Sequence, residues 1–550
     1  MNPLIRFALR VTVASRTCLQ SWLNLLSVPG QRWRSLAILT FCFLLWGGSF
    51  FVPDAWAKTE GGEAVLAKSE KQSIRPYLDR VIDRVTEFRL ENGIKFIVLE
   101  RHQAPVVSFL TYADVGGVDE PDGKTGVAHF LEHLAFKGTT RIGTKDYTAE
   151  KPLLSRLDQL DRQIQTAKAT GKPEQVQKLQ AEFAQVQKKA ASYVKQNDLG
   201  RIVEQSGGVG LNAATSNDST RYFYSFPSNK LELWMSLESE RFLEPVFREF
   251  FEERDVITEE RRLRTDNSPI GKMIEVFLDK AFQKHPYRRP VIGYMQDIRN
   301  LSRSDVKAFF EKYYIPSKLT IAVVGDVEPE NVKRLAKLYF SRYKAKPTPP
   351  AVAIVEPPQT AEQEVTLKLP TQPWYLEGYH RPAMKHPDNA IYTLIGSLLS
   401  DGRTSRLYKA LVEQQQVALT AQGLSGFPGD KYPNLMLFYA LTAPGHSVED
   451  VSTALRTEIE RLKNQPVSAQ ELDRVKTQAE AGLLRTLDSN EGMAGLLVDY
   501  DVKTGSWRNL FKEVETIATI TAADIQRVAQ ATFTSQNRTV GKLLSQAGDR

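Results

Sequence analysis

The chain has 550 residues, of which 42% are apolar and 25% are charged. That length exceeds what one ordinary hydrophobic core supports, so two or more domains are expected. The net charge is +7, and residues 1–57 account for much of it with five arginines and one acidic residue. Because the remaining excess is spread over the rest of the chain, the charge argues against a nucleic-acid-binding protein.

The N-terminal segment is organised like an export signal. An arginine-containing stretch without acidic residues precedes the apolar run Leu36–Trp46, and Ala55 and Ala57 form a small-residue cleavage pattern. We therefore expect residues 1–57 to be a signal peptide, with export across the bacterial inner membrane to the periplasm or an equivalent lumen. Two other interpretations fit: an organellar transit peptide, and an uncleaved membrane anchor, because residues 36–52 carry no charge.

Both cysteines, Cys18 and Cys42, lie in this leader. The rest of the chain can form no disulfide, thiolate metal site or cysteine nucleophile. Any metal ion would therefore need histidine or carboxylate ligands.

After the leader, residues 85–117 show the alternation of β-strands. Two short strands flank the turn Asn92–Gly93, and a third strand follows. The next segment is GVAHFLEHLAFKGTT, residues 126–140, which places three polar side chains in an apolar helix. Thr125 is the expected N-cap and Gly138 the expected end of that helix.

His129, Glu132 and His133 fall on one face of this helix, because offsets of three and four residues nearly superimpose. A lone histidine on an apolar face is usually a core residue. Two histidines and an acid within five residues are costly to bury without a metal ion. Imidazoles one turn apart suit Zn²⁺, and the carboxylate suits a general base that deprotonates the attacking water.

Residues 147–205 are rich in lysine and glutamine and predict a helical hairpin broken at Gly171–Pro173. A solvated arm and a partner-binding arm are both compatible with this composition. Residues 207–227 then predict an extended strand, followed by two amphipathic helices. The second helix carries Glu253 and Glu260 on one stripe, which fits either a third metal ligand or a solvated face.

The run 344–359 contains five prolines and is interpreted as a linker. Beyond it the pattern of the first half recurs in outline, with residues 435–462 echoing residues 319–340. Aligning Gly126 with Asn389 places Tyr392, Ile395 and Gly396 opposite the two histidines and the glutamate. A polar cluster present in only one of two copies indicates a functional site and not a folding requirement.

The order H-x-x-E-H is the inverse of the commoner H-E-x-x-H zinc motif. Together with HFLEHLAFKGT, GGVGLNAATSNDSTRY and ERDVITEE, it makes the chain similar to the pitrilysin/insulinase family of zinc metallopeptidases. That family includes the mitochondrial processing peptidase and single-chain bacterial relatives. The resemblance extends from about Val85 to the C-terminus.

The resemblance implies one Zn²⁺ per chain, with His129, His133 and Glu260 as ligands and Glu132 as the general base. Glu253 would orient a ligating histidine. An extended peptide substrate would pair with an edge strand by β-augmentation. The substrate-binding residues implied on that strand are Asn212, Ala213, Ala214 and Thr215.

The implied fold class is α+β, with two homologous halves of antiparallel sheet plus helices that form a clamshell. Residues 75–343 would form the catalytic domain, with a helical insertion at about 150–200. Residues 344–359 would form the linker, and residues 360–550 an inactive homologous domain without a metal site.

The implied function is an exported zinc endopeptidase that hydrolyses unfolded proteins or oligopeptides. One departure matters: the family's substrate-holding Arg and Tyr in the second half correspond to Val412 and Leu419. This fits altered substrate handling, an Arg and Tyr supplied by a related chain in a homo- or hetero-oligomer, or lost peptidase activity. The alternative function is therefore a catalytically weak or inactive binding subunit.

Overall fold

The computed structural model describes residues 75–546. The predicted export signal at residues 1–57 lies outside these residues. No helix within 75–546 has both the length and the apolar character needed to cross a bilayer.

The first half, up to the proline-rich run, contains six strands and eleven α-helices among the described residues. The strands are β1 (Val85–Arg89), β2 (Lys95–Glu100), β3 (Val106–Ala113), β4 (Val209–Thr215), β5 (Thr220–Pro227) and β6 (Leu319–Gly325). The helices are α1 (Arg75–Asp83), α2 (Val127–Leu134), α3 (Tyr147–Ala169), α4 (Pro173–Ala191), α5 (Asp198–Gln205), α6 (Leu231–Leu243), α7 (Phe250–Arg261), α8 (Pro269–Ala281), α9 (Met295–Asn300), α10 (Arg303–Tyr313) and α11 (Pro329–Phe340).

The second half contributes a further set of strands and helices to the described region. The strands are β7 (Gln363–Leu369), β8 (Trp374–Arg381), β9 (Ala418–Phe427), β10 (Asn434–Thr442) and β11 (Arg538–Ser545). The helices are α12 (Asn389–Ser400), α13 (Val448–Asn464), α14 (Ala469–Asp488), α15 (Asn490–Thr504), α16 (Asn509–Thr519) and α17 (Ala522–Thr532). Two segments, Arg262–Asp266 and Tyr408–Gln414, form π-helical turns.

The two sheets repeat one topology, as the sequence predicted. The first has the order β1-β2-β6-β3-β5-β4 and the second β7-β11-β8-β10-β9. Without β1, the orders match strand for strand, and α2 and α12 follow equivalent strands. The match places β10 opposite β5, so the predicted echo between residues 435–462 and 319–340 is wrong. Both of those segments are an apolar strand followed by an amphipathic helix, a pattern that β5 and α6 share.

The sheets are mixed and not purely antiparallel, which corrects the prediction in one respect. β2 pairs with β6 in parallel, and β7 pairs with β11 in parallel, whereas the other pairs are antiparallel. In each half the last strand returns through a long helical segment and inserts between two earlier strands, β6 between β2 and β3 and β11 between β7 and β8. Such crossovers permit parallel pairing, which a short hairpin does not.

Residues 207–227 form a hairpin and not the single predicted strand. Strands β4 and β5 pair in antiparallel orientation, and Ser216 Oγ accepts hydrogen bonds from the backbone N–H groups of Asp218 (3.2 Å) and Ser219 (3.1 Å) in the turn between them. Within residues 75–546, β4 pairs only with β5 and so forms the edge of its sheet.

The two halves exchange helices across the backs of their sheets. α8 of the first half packs on β7 and β11, where Met273 and Phe277 share a core with Leu543. α15 of the second half packs on β3 and β6, where Leu497 shares a core with Val324. Each sheet therefore buries one face against a helix that belongs to the other half of the sequence.

The predicted helical hairpin is present as α3 and α4. Its base contacts α7, with the Phe183 and Phe251 rings 4.8 Å apart and Asp161 3.6 Å from the Arg254 guanidinium. A further ion pair, Arg303–Asp158, ties α3 to α10 at 2.5 Å. The insertion thus supports the helix that carries Glu253 and Glu260.

Candidate metal centre

Helix α2 begins at Gly126, whose φ of +87° lies in the left-handed region. The N-cap prediction of Thr125 is wrong: its hydroxyl donates to Asp297 Oδ2 at 2.6 Å instead. The carboxylate of Glu120 accepts hydrogen bonds from the N–H groups of Gly126 and Ala128, both at 2.9 Å. An acid in the preceding loop, outside the N-cap position, therefore satisfies the free N–H groups at the buried start of this helix.

The helix ends one turn before Gly138, the predicted end, and the loop that follows is held from within the protein. Arg248 is fully buried and donates from Nη2 to the Thr139 carbonyl at 2.7 Å and from Nη1 to the Ile142 carbonyl at 3.0 Å. Its Nε donates to the equally buried Glu150 at 2.9 Å. One buried guanidinium thus fixes the path of the chain just beyond the histidines.

The three predicted ligands converge. Nε2 of His129 lies 3.7 Å from Oε1 of Glu260, and Nε2 of His133 lies 3.6 Å from Oε2 of the same carboxylate. The donor atoms of all three residues lie within 4.8 Å of one another. A tetrahedral zinc ion with bonds of about 2.0–2.1 Å needs ligand atoms separated by roughly 3.4 Å. Two imidazole nitrogens and one carboxylate at these distances fit a catalytic zinc site.

Glu253 lies behind His133, as predicted. Its Oε2 accepts a hydrogen bond from Nδ1 of His133 at 2.9 Å, and its Oε1 lies 2.6 Å from Nζ of Lys137. Burial raises the pKa of Glu253, but the hydrogen bonds from His133 and Lys137 outweigh it and keep that pKa below its usual value. The ionised carboxylate holds the proton of His133 on Nδ1 and leaves Nε2 free to act as a ligand.

His129 is held in its neutral form. Burial lowers the pKa of its imidazole to about 3, and the neighbouring side chains of His133 and Arg264 act in the same direction. Its Nδ1 is buried and has no hydrogen-bond partner among the described residues. A neutral imidazole is the form that binds a metal ion.

The predicted base, Glu132, lies beside β4. The hydroxyl and the backbone N–H of Thr215, the last residue of β4, hydrogen-bond to its carboxylate. Burial raises the pKa of Glu132, against the opposing effect of these hydrogen bonds. A raised pKa makes the carboxylate a better proton acceptor near neutral pH.

The four predicted substrate-binding residues lie on the free edge of the first sheet. Along β4, exposed and half-buried side chains alternate, as in a strand with one face on the protein. Asn212 and Ala214 are exposed, whereas Ala213 and Thr215 are half-buried. No second strand pairs with this edge among residues 75–546, although the N–H of Ala213 donates to Asn212 Oδ1 at 2.9 Å and that of Thr215 bonds to Glu132. An edge of this kind can pair with an added strand.

The second half has no equivalent site within the described residues. On α12, the counterparts of the histidines and the glutamate are Tyr392, Ile395 and Gly396. The Tyr392 hydroxyl hydrogen-bonds to Thr532 Oγ1 at 2.7 Å, and Ile395 is fully buried. Val412 is half-buried in a π-helical turn, and Leu419 is 48% exposed on β9. Neither side chain can donate a hydrogen bond to a substrate.

Sequence reasoning missed two cations that contact the site. Lys137 follows His133 by four residues and contacts Glu253 and Glu249. Arg264 follows Glu260 by four residues, and its Nη1 lies 2.9 Å from Oε1 of that ligand. The spacing of four was the available signal, because such residues are neighbours on a helix.

A second group of possible ligands, Glu100, His102 and Glu328, also has donor atoms within 4.8 Å of one another. Both ring nitrogens of His102 already lie 2.7 Å from carboxylates, those of Glu100 and Asp326. The imidazole is half-exposed and the group forms an ion-pair cluster at the surface.

Two family models match the chain. Residues 95–153 and 183–294 match the model described as insulinase (peptidase family M16), and residues 300–479 match the peptidase M16 inactive domain. The zinc protease PqqE of Helicobacter pylori is 30% identical over 454 residues, which cover 81% of this chain and 89% of that protein. The chain belongs to the M16 peptidase family. In this M16 chain, the residues between the two matched segments, 154–182, lie within the hairpin of α3 and α4.

Solved structures agree with this M16 assignment. A protease from Helicobacter pylori superposes with a TM-score of 0.71 at 28% identity, covering 84% of this chain and 99% of that one. The periplasmic protease PqqL from Escherichia coli shares the fold, with a TM-score of 0.62 at 18% identity. This chain covers 48% of PqqL, and 84% of this chain is aligned. The predictions of the M16 family and of an α+β fold with two similar sheets are confirmed.

Proposed function

We propose that this M16 chain is an exported zinc endopeptidase that hydrolyses peptide bonds in unfolded proteins or oligopeptides. The observation that carries the proposal is the convergence of His129, His133 and Glu260 with the carboxylate of Glu132 nearby. Relatives named zinc proteases support the same chemistry. The domain division at residues 344–359 belongs to this proposal, with the metal site in the first domain alone.

His129, His133 and Glu260 would hold one zinc ion, with Glu253 fixing the His133 ring. When bound, the ion supplies Lewis acidity, which polarises the scissile carbonyl and acidifies a water molecule. Glu132 accepts a proton from the attacking water as the C–O bond forms. It then delivers that proton to the leaving amine as the C–N bond breaks, so the base is regenerated.

The substrate would bind as an additional strand on β4, through Asn212, Ala213, Ala214 and Thr215. Pairing along this edge uses backbone hydrogen bonds and therefore tolerates many sequences. It requires an extended segment with free backbone groups, which unfolded chains and oligopeptides offer. Because Thr215 also hydrogen-bonds to Glu132, a peptide on this edge would run toward the base.

We propose export to the periplasm or an equivalent lumen, with the leader either cleaved or kept as an anchor. The leader sequence supports this location, and so does the periplasmic protease PqqL among the structural neighbours. Because this chain covers about half of PqqL, a second copy or a related chain is proposed to complete the assembly. Sequencing the mature N-terminus and measuring the mass in solution test these two points.

The test of the activity is digestion of an unfolded protein and of oligopeptides by the purified full chain. We expect cleavage that a chelator abolishes and that stoichiometric zinc restores. Zinc bound at one ion per chain without any cleavage, alone or with a related chain, would contradict the proposal.

The second candidate function is a binding subunit without turnover. Val412 and Leu419 favour it, because the second half presents no donors at the positions where the family resemblance expects Arg and Tyr. This candidate predicts peptide binding with unchanged peptide after prolonged incubation, which mass spectrometry of the recovered peptide distinguishes from cleavage.

A further inference from the structure

Arg264 occupies an unusual position at the candidate metal centre. It lies in the π-helical turn that continues α7, four residues after the ligand Glu260, and its Nη1 is 2.9 Å from Oε1 of that carboxylate. The side chain of Glu260 is 18% exposed, whereas that of Arg264 is 54% exposed. The guanidinium therefore lies on the solvent side of the ligand.

The backbone around Arg264 is fixed by close packing. A Cβ atom at Gly271, on α8, would lie 2.0 Å from the Arg264 carbonyl oxygen, so only glycine allows this approach. The neighbouring Arg261 is buried and its Nη1 donates to the Gly293 carbonyl at 3.0 Å. The backbone position from which the Arg264 side chain extends toward Glu260 is thus fixed by packing.

The guanidinium of Arg264 has donors to spare. Among residues 75–546, the polar contact of its side chain is the ion pair with Glu260. Lys137, the other cation at the site, is 23% exposed and is shared between Glu249 and Glu253. A guanidinium carries five N–H donors in a fixed plane, so binding one carboxylate oxygen leaves most of them free.

The second half does not supply such donors at the positions where the family resemblance expects them. Val412 and Leu419 are apolar, and Leu419 is nearly half-exposed. A peptide on β4 would bring its backbone carbonyl groups past Glu132 and the ligand set. Preorganised donors beside the reacting carbonyl are the usual means of holding and polarising it.

We propose that Arg264 is a substrate-binding residue whose free N–H groups hydrogen-bond a backbone carbonyl oxygen of the bound peptide beside the metal centre. The inference rests on the proposed peptidase function and deepens it. It assigns to the first half a role that Val412 and Leu419 cannot perform. A backbone contact makes the effect independent of the peptide's side chains.

The test measures peptide binding without cleavage, in zinc-saturated full-length protein carrying Glu132→Gln. Fluorescence anisotropy gives Kd for a labelled peptide, and chelator competition gives the zinc affinity. Adding Arg264→Gln should weaken peptide binding about tenfold or more, because a hydrogen bond from a charged donor is lost. The peptide Kd of Arg264→Lys should lie between those of the Glu132→Gln protein and of Arg264→Gln, since lysine keeps the charge but lacks the planar guanidinium. Because Arg264 contacts Glu260, its loss can also change the zinc affinity, so peptide binding is measured at saturating zinc and the zinc affinity is measured separately.

Arg262→Gln is the matched control, because Arg262 lies in the same turn and pairs with Glu259, outside the ligand set. It should leave peptide binding unchanged. If Arg264→Gln lowers zinc affinity but not peptide affinity, Arg264 only orients Glu260 and the inference is overturned. Unchanged peptide binding overturns it as well.

Peptide pairs with and without an acidic residue locate the contact on the substrate. Equal loss for both members of a pair supports a backbone carbonyl, whereas loss confined to acidic peptides overturns that assignment. If the zinc-loaded Glu132→Gln protein binds no peptide at all, the proposed function fails, and this inference fails with it.

Discussion

Nδ1 of His133 donates a hydrogen bond to Oε2 of Glu253 at 2.9 Å, so a buried carboxylate fixes the ring that presents Nε2 to Glu260. We expect Glu253→Gln to weaken zinc binding about 10- to 100-fold, because the amide orients and polarises the ring less strongly. Competition with a chelator of known affinity measures the change. Glu252→Gln is the control, since Glu252 contacts Gln187 on the hairpin. Equal affinities in all three proteins would contradict the assigned role of Glu253.

Glu260 is the proposed ligand that lies farthest from the histidines in the sequence. Glu260→Gln should abolish stoichiometric zinc after dialysis, because a neutral amide replaces the only carboxylate in the ligand set. The neighbouring Glu259 is 62% exposed and pairs with Arg262, so Glu259→Gln should retain one zinc per chain. Metal analysis of both proteins measures the zinc content. One zinc per chain retained by Glu260→Gln would show that Glu260 is not the third ligand.

Arg248 and Glu150 form a buried pair that fixes the loop after the zinc motif. Arg248→Met should lower the free energy of unfolding by about 3–5 kcal/mol, because the charge of Glu150 is then buried without a partner. The exposed pair Arg156–Glu182 on the hairpin offers a contrast, and Arg156→Met should cost less than about 1 kcal/mol. Urea unfolding measures the free energy of unfolding of both variants. Losses of similar size would contradict the larger role assigned to the buried pair.

His285 gives the protein a pH-dependent stability far from the metal ligands. Burial lowers the pKa of its imidazole to about 4 from 6.5, with Arg289 acting in the same direction and Glu356 opposing it. Between pH 6.5 and about 4, His285 is therefore protonated in the unfolded chain but neutral in the folded protein. Stability is complete above pH 6.5 and declines as the pH falls toward 4, by up to roughly 3 kcal/mol.

His285→Asn removes this titration and keeps an acceptor for the Tyr287 N–H, which Nδ1 accepts at 3.2 Å. Urea unfolding at pH 7.5 and at pH 4.5 should show a smaller decline in the variant than in the wild-type protein. The other ionisable groups are common to both proteins, so the difference isolates His285. Parallel declines would show that His285 does not titrate in this range.

The convergence of His129, His133 and Glu260 could be predicted because the motifs that carry these residues are short and specific. His129 and His133 lie one helical turn apart, and Glu260 follows Glu253 by seven residues, so helix periodicity brings each pair to one face. The repeat of strand and helix likewise indicated two similar halves. Patterns with a fixed period survive in the sequence. They left Glu260 open between a ligand and a solvated face, and the family resemblance made the choice between the two.

The parts that could not be predicted depend on how loops, helices and strands are arranged in space, which no periodic pattern records. The Glu120 carboxylate accepts hydrogen bonds from the N–H groups at the start of α2, although Thr125 has the better local pattern for an N-cap. The helix exchange places α8 and α15 on each other's sheets, and amphipathicity alone does not say which sheet a helix covers. The parallel pairing of β2 with β6 could not be predicted for the same reason, because the sequence pattern does not give the order of the strands in the sheet.

The most direct measurement is the cleavage rate of zinc-loaded Glu132→Gln, compared with the wild-type protein on one peptide. Glu132 is assigned to move the proton and is not a ligand, so the variant should keep one zinc per chain. Its cleavage should fall about 10²- to 10⁴-fold, the usual contribution of general acid–base catalysis. Cleavage at the wild-type rate by the zinc-loaded variant would contradict the account, because no other group is assigned to take that proton.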